Sequence, residues 1–444
     1  EQFNSYLNPQ SQRVINSRPN FHFDKSGLLW HSKRPSIFKQ APHRQRFDLF
    51  QRKGNDPNNL PSDTITCLLE DSKHRLWIGT YRGFALYQKS TDSLRQFTHW
   101  TDKPGLISHS WNNAIFEDSR GQIWITTKNG LFKLNEPTMT LSRCSIGTDQ
   151  NSPIVRMEDH LQRLWVSVYG DGVYVLDTNG AVLKSYLKSH VDYSALNKIN
   201  TIFQDSYGTI WLGDGGDNQR GLFRMDNTED GFIHYHAIPG DSSSIASNEI
   251  RFLVEDKDRR LWIGADAGLD VYDNKEDRFV HYRDVIRMSS MTGYAFESTG
   301  DIWFTTYAGG GLAKVDPESA KIAMYGESRG LLHNDVNVLG GQLAVDNFGH
   351  FWIPPQRGLS VFDPASQSFT NYFEEDGFHP SRRYWEIKTH DGNIWIGGQN
   401  GLNRIDPAAL MVRDSTPPDV WITDMTIMGD NYSAPDGEIF SKAV

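Results

Sequence analysis

The sequence predicts an all-β chain folded as a β-propeller of four-stranded blades, and three observations carry that reading. First, one short phrase returns nine times: an acidic residue, a turn, an aliphatic residue, a tryptophan, another aliphatic residue, then a glycine ahead of a second apolar run. Its clearest copies are DSKHRLWIGTYRGFALY at 71–87, DSRGQIWITTKNGLF at 118–132, DKDRRLWIGADAGLDVY at 256–272 and DGNIWIGGQNGLNRI at 391–405. Second, the central tryptophans, Trp30, Trp77, Trp124, Trp165, Trp211, Trp262, Trp303, Trp352 and Trp395, follow one another at 47, 47, 41, 46, 51, 41, 49 and 43 residues. That is the period of one blade per repeat. Third, 12% aromatics with 38 Gly and 19 Pro suit short strands and tight turns, and no long stretch shows the three-four spacing of an amphipathic helix.

Each repeat parses into four strands. In the repeat around Trp77 they fall at 65–69, 75–79, 84–88 and 94–97, separated by turn residues. Three positions before the tryptophan stands Gly27, Gly121, Gly208, Gly300, Gly349 or Gly392, and otherwise His74, Gln162 or Arg259. A turn needing a left-handed residue explains the preference, because glycine takes positive φ without a Cβ clash. A glycine also opens the third strand in eight repeats, the first having Ser36 instead. The second strand is apolar on both faces, Leu76 and Ile78 on one and Trp77 on the other, as a blade between two neighbours requires. The nine tryptophans therefore read as blade-to-blade packing.

Nine copies leave ring closure open. Either one ring holds eight or nine blades, or Trp30 and Trp77 end a preceding propeller and a break near residue 100 leaves 100–407 as a seven-bladed ring. The propeller repeats span 1–407, residues 408–419 read as a linker, and 420–444 begin a different module that stops short of completion.

A net charge of −10 with no basic run argues against nucleic acid or an anionic membrane surface as partner. No apolar run is long enough to span a bilayer, and residues 1–20 lack the pattern of a signal peptide. The start without Met, in mid-repeat sequence, reads as an excised or processed piece. Cys67 and Cys144 fit no metal pattern, Cys67 reads as core, and whether the two pair stays open.

The phrase D-x-x-G-x-[IL]-W-I-G-T-x-x-G-L resembles the two-component regulator propeller repeat of the extracytoplasmic sensor regions of bacterial signalling proteins, over about residues 20–407. The ending, from GLLHNDVNVLGG through GLNRIDP and followed by PPDVWITDMTI, resembles the last two blades of such sensors running into their immunoglobulin-like three-tyrosine module. The resemblance implies a periplasmic sensor, a homodimer in the full-length receptor, and a membrane segment with a kinase or diguanylate cyclase output, of which the membrane and output parts are not in this sequence. It also implies a ligand that is often a glycan fragment.

Strand direction puts the entry to each first strand and the turn between second and third strands on one face. The distance from tryptophan to the third-strand glycine, commonly 6, grows to 7 after Trp165, 10 after Trp211 and 8 after Trp303, so loops 168–171, 214–220 and 307–310 enlarge that face. The entering segments carry aromatics that stack on a sugar and Asn, Asp and Arg that satisfy hydroxyls. The candidates for a glycan or other polar small molecule are Trp111, Asn113, Asn200, Asp217, Arg251, Tyr294, Asn337, Arg383 and Trp385. Bland readings stand beside them: a plugged channel rim for the tryptophans, a strand-end salt bridge for Arg251, a solvated charge for Arg383 and a packed rim aromatic for Tyr294. No cofactor is implied. Loop 214–220 matches no cation loop, and no pair among 15 His, including His333, His350 and His390, has ligand spacing on a common strand face.

A ligand-binding sensor module without catalysis is the leading reading. A propeller-scaffold polysaccharide lyase or hydrolase would need an acid and a base converging on the channel. His109, Tyr294 and Arg383 supply the residue types, yet no motif selects them. A protein-protein scaffold would instead show a wide apolar face.

Overall fold

The computed structural model describes residues 21–23, 29–33, 36–40, 47–97, 114–147, 152–187, 196–411, 424–427 and 430–433, leaving out 55, 216–219, 227, 229–230, 283–289, 308, 317–320, 337, 339–340, 356–357 and 380–384. The chain forms two compact units, Arg46–Ala409, and Glu1–Gln45 with Leu410–Val444.

The repeat of Trp77 folds as read from its pattern, with strands Ile65–Glu70, Leu76–Thr80, Gly83–Gln88 and Ser93–Phe97 in antiparallel order. The same four-stranded sheet recurs around Trp124, Trp165, Trp211, Trp262 and Trp303. Around Trp352 three strands are regular, Phe351–Ile353, Leu359–Asp363 and Ser368–Tyr372. There the inner position goes to the segment around 341–345, whose Gly341 carbonyl accepts from Tyr294 N and whose Leu343 N donates to Tyr294 O, both at 2.8 Å. First strands of successive blades touch one another, which places them innermost.

Ring closure resolves the blade count at eight. Strands Trp385–Lys388, Ile394–Gly397 and Leu402–Ile405 lack a fourth partner of their own, and Phe47–Phe50 from the start of the unit supplies it, Ile405 opposite Phe47 and Leu402 opposite Phe50. Arg404 locks that strand, its Nη2 2.6 Å from Asp48 Oδ2 and its Nη1 2.6 Å from Asp92 Oδ1. The last blade then packs on the first: Ile65, Leu76 and Ile78 share a core with Trp395 and Leu402, and Lys89 Nζ reaches Asp391 at 2.8 Å. The Trp77 repeat is thus a blade of the ring, and the seven-bladed alternative falls. The Trp30 repeat forms a separate three-stranded sheet, Phe21–Phe23, Leu29–Lys33 and Ser36–Gln40, so a ninth blade falls too. A five-residue helix, Pro407–Met411, follows the last blade, and Asp424–Ile427 pairs with Asp430–Ser433 as a hairpin.

All eight tryptophans of the ring are buried, at most 2% exposed. Seven are held by more than packing. The acidic residue six positions earlier accepts the indole Nε1–H: Asp71 at 2.8 Å, Asp118 at 3.0 Å, Asp159 at 2.9 Å, Asp205 and Asp256 at 2.8 Å, Glu297 at 3.0 Å and Asp346 at 3.1 Å. In the six with Asp, the other carboxylate oxygen accepts backbone N–H groups of the tight turn, as Asp159 does from Leu161 and Arg163. Turn and tryptophan are therefore one unit, which explains why the acidic residue recurs with the tryptophan. The left-handed residue between them is confirmed: φ is 58° at His74, 60° at Gln162 and Arg259, and 77–87° at Gly121, Gly208, Gly300, Gly349 and Gly392.

The third-strand glycine has a second reason. At Gly401, φ is 111° and an added Cβ would lie 2.6 Å from the Phe50 carbonyl oxygen, the backbone of the closing strand. Gly401→Ala is expected to lower stability by about 1–3 kcal/mol in urea unfolding, through overpacking and left-handed strain together. Cys67 and Cys144 are free, and burial pushes the Cys67 thiol up to about 12.

Candidate functional site

The inner strands are not regular ladders. Among the described residues, five blades have an extra residue bulging out of the first strand: Thr66, Arg156, Asn200, Arg251 and Thr292, each between the residues where the register shifts. A bulge turns a side chain away from the alternation that would bury it between blades, and such features cluster at functional sites. Four bulges stand eleven positions before their tryptophan. Arg156 stands nine before Trp165.

Three of the five are engaged within the fold. Thr66 is buried. Thr292 donates to the Val336 carbonyl at 2.6 Å, tying the Trp303 blade to the next. Arg251 pairs with Asp266 and with Glu249, each at 2.8 Å, which is the strand-end salt bridge. The remaining two, Arg156 and Asn200, come together where the Trp165 and Trp211 blades meet.

Arg156 Nε donates to Ser167 Oγ at 2.8 Å, while its Nη2 lies 3.5 Å from both Ile199 O and Asn200 Oδ1, at the limit of a hydrogen bond. Among the described residues no carboxylate pairs with it, and burial pushes the guanidinium down to about 10. A half-buried cation short of partners attracts a carboxylate or an array of hydroxyls. Asn200 is exposed beside it. The segment Leu196–Lys198 packs on strands Leu164–Val168 and Gly172–Leu176, carrying Lys198 Nζ to 5.3 Å from the Tyr169 ring. Tyr169 is 59% exposed, an aromatic platform in the lengthened loop 168–171. Arg156, Ser167, Tyr169, Lys198 and Asn200 thus join a charge, hydroxyl and amide groups and a stacking face in one place.

Glu386, on strand Trp385–Lys388, is the counterpart. Both carboxylate oxygens are out of solvent, and neither has a hydrogen-bond partner among the described residues. Burial raises the carboxyl well above its ordinary range, the nearby Ala344 backbone opposing this. Trp385 begins the same strand, half-buried, opposite Gly397. Tyr294 stands at the corresponding register of the Trp303 blade and packs between Phe252 and Phe296, at centroid distances of 5.4 and 5.7 Å. Burial raises its hydroxyl.

Of the residues singled out from the sequence, the structure thus brings Asn200 to the Arg156 cluster, places Arg251 in ion pairs and Tyr294 in packing, and sets Trp385 next to Glu386. Trp111, Asn113, Asp217, Asn337 and Arg383 lie outside the described residues, as does His109. Arg156, Ser167, Tyr169, Lys198 and Glu386 escaped the sequence reading. A signal for two of them exists. Nine positions before the tryptophan stand Leu68, Ile115, Ile202, Leu253, Tyr294 and Leu343, and only Arg156 and Glu386 put a charge there.

A wider cleft of about 650 Å³ lies elsewhere, lined by Lys73, Arg120, Lys133, Glu136 and Asn179. Glu136 there already pairs with Lys73 and, at 2.5 Å, with Arg75. No helix among the described residues is long and apolar enough to cross a membrane.

Comparison with known proteins bears on this architecture. The family model described as two component regulator propeller matches residues 59–82, 105–129 and 194–216. No curated protein matches the sequence. Among solved structures, the extracellular domain of the putative hybrid two component system BT4673 from B. thetaiotaomicron is similar at 18% identity, over 96% of this chain and 67% of that one, with a TM-score of 0.38. PorZ, a surface component of the type-IX secretion system of Porphyromonas gingivalis, is similar at 13% identity over 86% of this chain and 62% of that one, TM-score 0.50. Virginiamycin B lyase from Staphylococcus aureus is similar at 12% identity over 81% of this chain and 99% of that one, TM-score 0.46. At such identities the likeness concerns the fold, and these three proteins have three different roles. The matched segments are those around Trp77, Trp124 and Trp211, where the sequence is similar to two-component regulator propeller repeats, and their tryptophans lie in a ring of eight blades.

Proposed function

We propose that this chain is the extracytoplasmic sensor region of a bacterial transmembrane signalling protein, and that it binds a glycan fragment or another polar small molecule without transforming it. The family match supports the sensor role, and Arg156 is the observation that carries the site. A half-buried guanidinium with one short hydrogen bond and, among the described residues, no carboxylate, beside an exposed amide and an exposed aromatic ring, suits a hydroxyl-rich ligand with an acidic group. The receptor is periplasmic and homodimeric in this reading, and the signal leaves through the C-terminal immunoglobulin-like module. Ligand drives it only by binding one dimer arrangement better than the other.

The test is thermal unfolding of the purified chain against neutral and uronate-bearing oligosaccharides. A ligand at about a hundred times its dissociation constant adds roughly 2.7 kcal/mol, a visible rise in Tm. The expected result is a rise with an acidic oligosaccharide that is recovered uncleaved. Arg156→Met should lose most of that rise, and Trp385→Ala tests whether the ligand also reaches Glu386. Consumption of the oligosaccharide would replace the sensor reading with a lyase or hydrolase, and silence across the panel would favour a protein partner.

A further inference from the structure

Among the described residues, three blade junctions carry a serine–glutamate bond on the face of the tight turns, and at a fourth His160 donates its backbone N–H to Gln204 at 2.8 Å. The junction that closes the ring departs from the serine–glutamate pattern. Ser72 donates its backbone N–H and its hydroxyl to Glu117, at 2.7 and 2.6 Å. Ser119 does the same to Glu158, and Ser206 to Glu255. At the seam between the last blade and the first, the accepting carboxylate is Glu70 and the serine's place is taken by His390. Its backbone N–H donates to Glu70 Oε2 at 2.8 Å, and its Nδ1 lies 2.9 Å from Oε1.

A second departure meets the first. The left-handed turn position that five described blades fill with glycine is His74, at φ 58°. Its Nδ1 lies 3.9 Å from Glu70 Oε1, and its ring stacks on that of His390 with centroids 3.7 Å apart and planes 18° from parallel. The fold asks for neither histidine, since serine and glycine do these tasks at other junctions of the same ring. The two substitutions nevertheless bring two imidazoles onto one carboxylate.

We propose that Glu70, His74 and His390 form a binding site for a divalent transition-metal ion of the zinc class, joining the last blade to the first. One ligand atom from each lies within 4.8 Å of the other two. Zinc bonds of about 2.0–2.2 Å to nitrogen and oxygen in a tetrahedron separate ligand atoms by roughly 3.3–3.5 Å. The 2.9 Å contact has to open and the 3.9 Å one has to close, each by well under 1 Å, and the two stacked rings have to tilt apart so that their in-plane nitrogen lone pairs converge on the ion. Two imidazoles suit zinc, copper and nickel over calcium or magnesium, and zinc accepts a carboxylate beside them. His74 and His390 are 57% and 47% exposed, so an ion reaches them from solvent, and the fourth position is left to water or an outside donor. A cleft of about 300 Å³ opens there, lined also by Tyr87, Lys89 and Asp391. Because the ligands come from opposite ends of the ring, a bound ion stabilises the closed ring over an opened one.

The test uses the tag-free chain stripped with EDTA and titrated calorimetrically with ZnCl2. One equivalent is expected to bind, with a rise in Tm that EDTA reverses. The variants are taken from the protein's own repeats: His74→Gly restores the residue other turns use, and His390→Ser restores the Ser–Glu junction. Both are expected to keep or raise the Tm measured in EDTA, and each to weaken zinc at least tenfold. Independently of any variant, Co2+ added to the stripped wild type should give the visible absorption of a low-coordinate histidine site and lose it when Zn2+ is added. Absence of zinc binding, absence of the cobalt spectrum, or an unchanged affinity in the His74→Gly/His390→Ser double variant would each overturn the proposal.

Discussion

Phe47→Ala is expected to destabilise the ring by about 3–5 kcal/mol, the range for removing a fully buried phenylalanine. Phe47 is 2% exposed and meets Tyr372 and Phe378 edge-on, at centroid distances of 5.6 and 5.7 Å. It sits on the strand that completes the last blade, so its loss leaves a cavity and loosens closure at once. Urea unfolding followed by tryptophan fluorescence measures it. A loss below about 1 kcal/mol, in the range of surface substitutions, would mean that strand Phe47–Phe50 is not the closing strand.

Asp159→Ala has an expected effect of similar size, about 3–5 kcal/mol, because it strands the buried Trp165 indole N–H together with three half-buried donors of the turn. The carboxylate accepts from Trp165 Nε1, from the backbone of Leu161 and Arg163, and from Arg163 Nε at 2.7 Å. Burial alone would raise its pKa, yet the bonds from Trp165 and Arg163 outweigh burial and the carboxyl titrates below its usual value. Asp118 is lowered in the same way, its burial outweighed by bonds from Trp124, Gln122 and Arg120. A folded-state pKa below the unfolded one contributes stability above about pH 4 that is lost as the pH falls through the folded value. The wild type should therefore lose stability steeply below about pH 4. Asp159→Ala should show a shallower acid limb, and equal limbs in the two proteins would contradict this account of the turn.

Blades, turns and their glycines are legible in the sequence because each repeat states its own geometry. The acidic residue, the left-handed position and the tryptophan sit at fixed offsets, and one strand of packing fixes the next. The blade count is not legible in the same way. The strand Phe47–Phe50 carries no tryptophan and no turn of its own, and it belongs to a blade whose other strands begin at Trp385. The repeat of Trp30 shows the period but lies in a separate unit, so counting tryptophans overstates the ring.

The site divides likewise. Asn200 and Trp385 could be picked out because they enter the innermost strand beside polar neighbours. Arg156 and Glu386 look like ordinary strand residues until all repeats are aligned on the tryptophan, when a charge at an otherwise uncharged register becomes visible. Tyr169 is one aromatic among many in the sequence, and only its exposure sets it apart. Glu70 and His390 stand 320 positions apart, beyond any local spacing rule.

The fastening of the last blade also sets an order of events during synthesis. Asp48 and Arg404 are 356 positions apart, so the strand made before the rest of the ring waits for almost the whole ring to follow. Local blades can fold as they emerge, but the final sheet keeps a bare edge until its earliest-made partner docks. Pairing across so long a separation is slow, and a bare edge is where chains join the wrong neighbour. Docking of residues 47–50 should thus be the rate-limiting step of refolding, and misassembly should take the form of one chain lending that strand to the open ring of another.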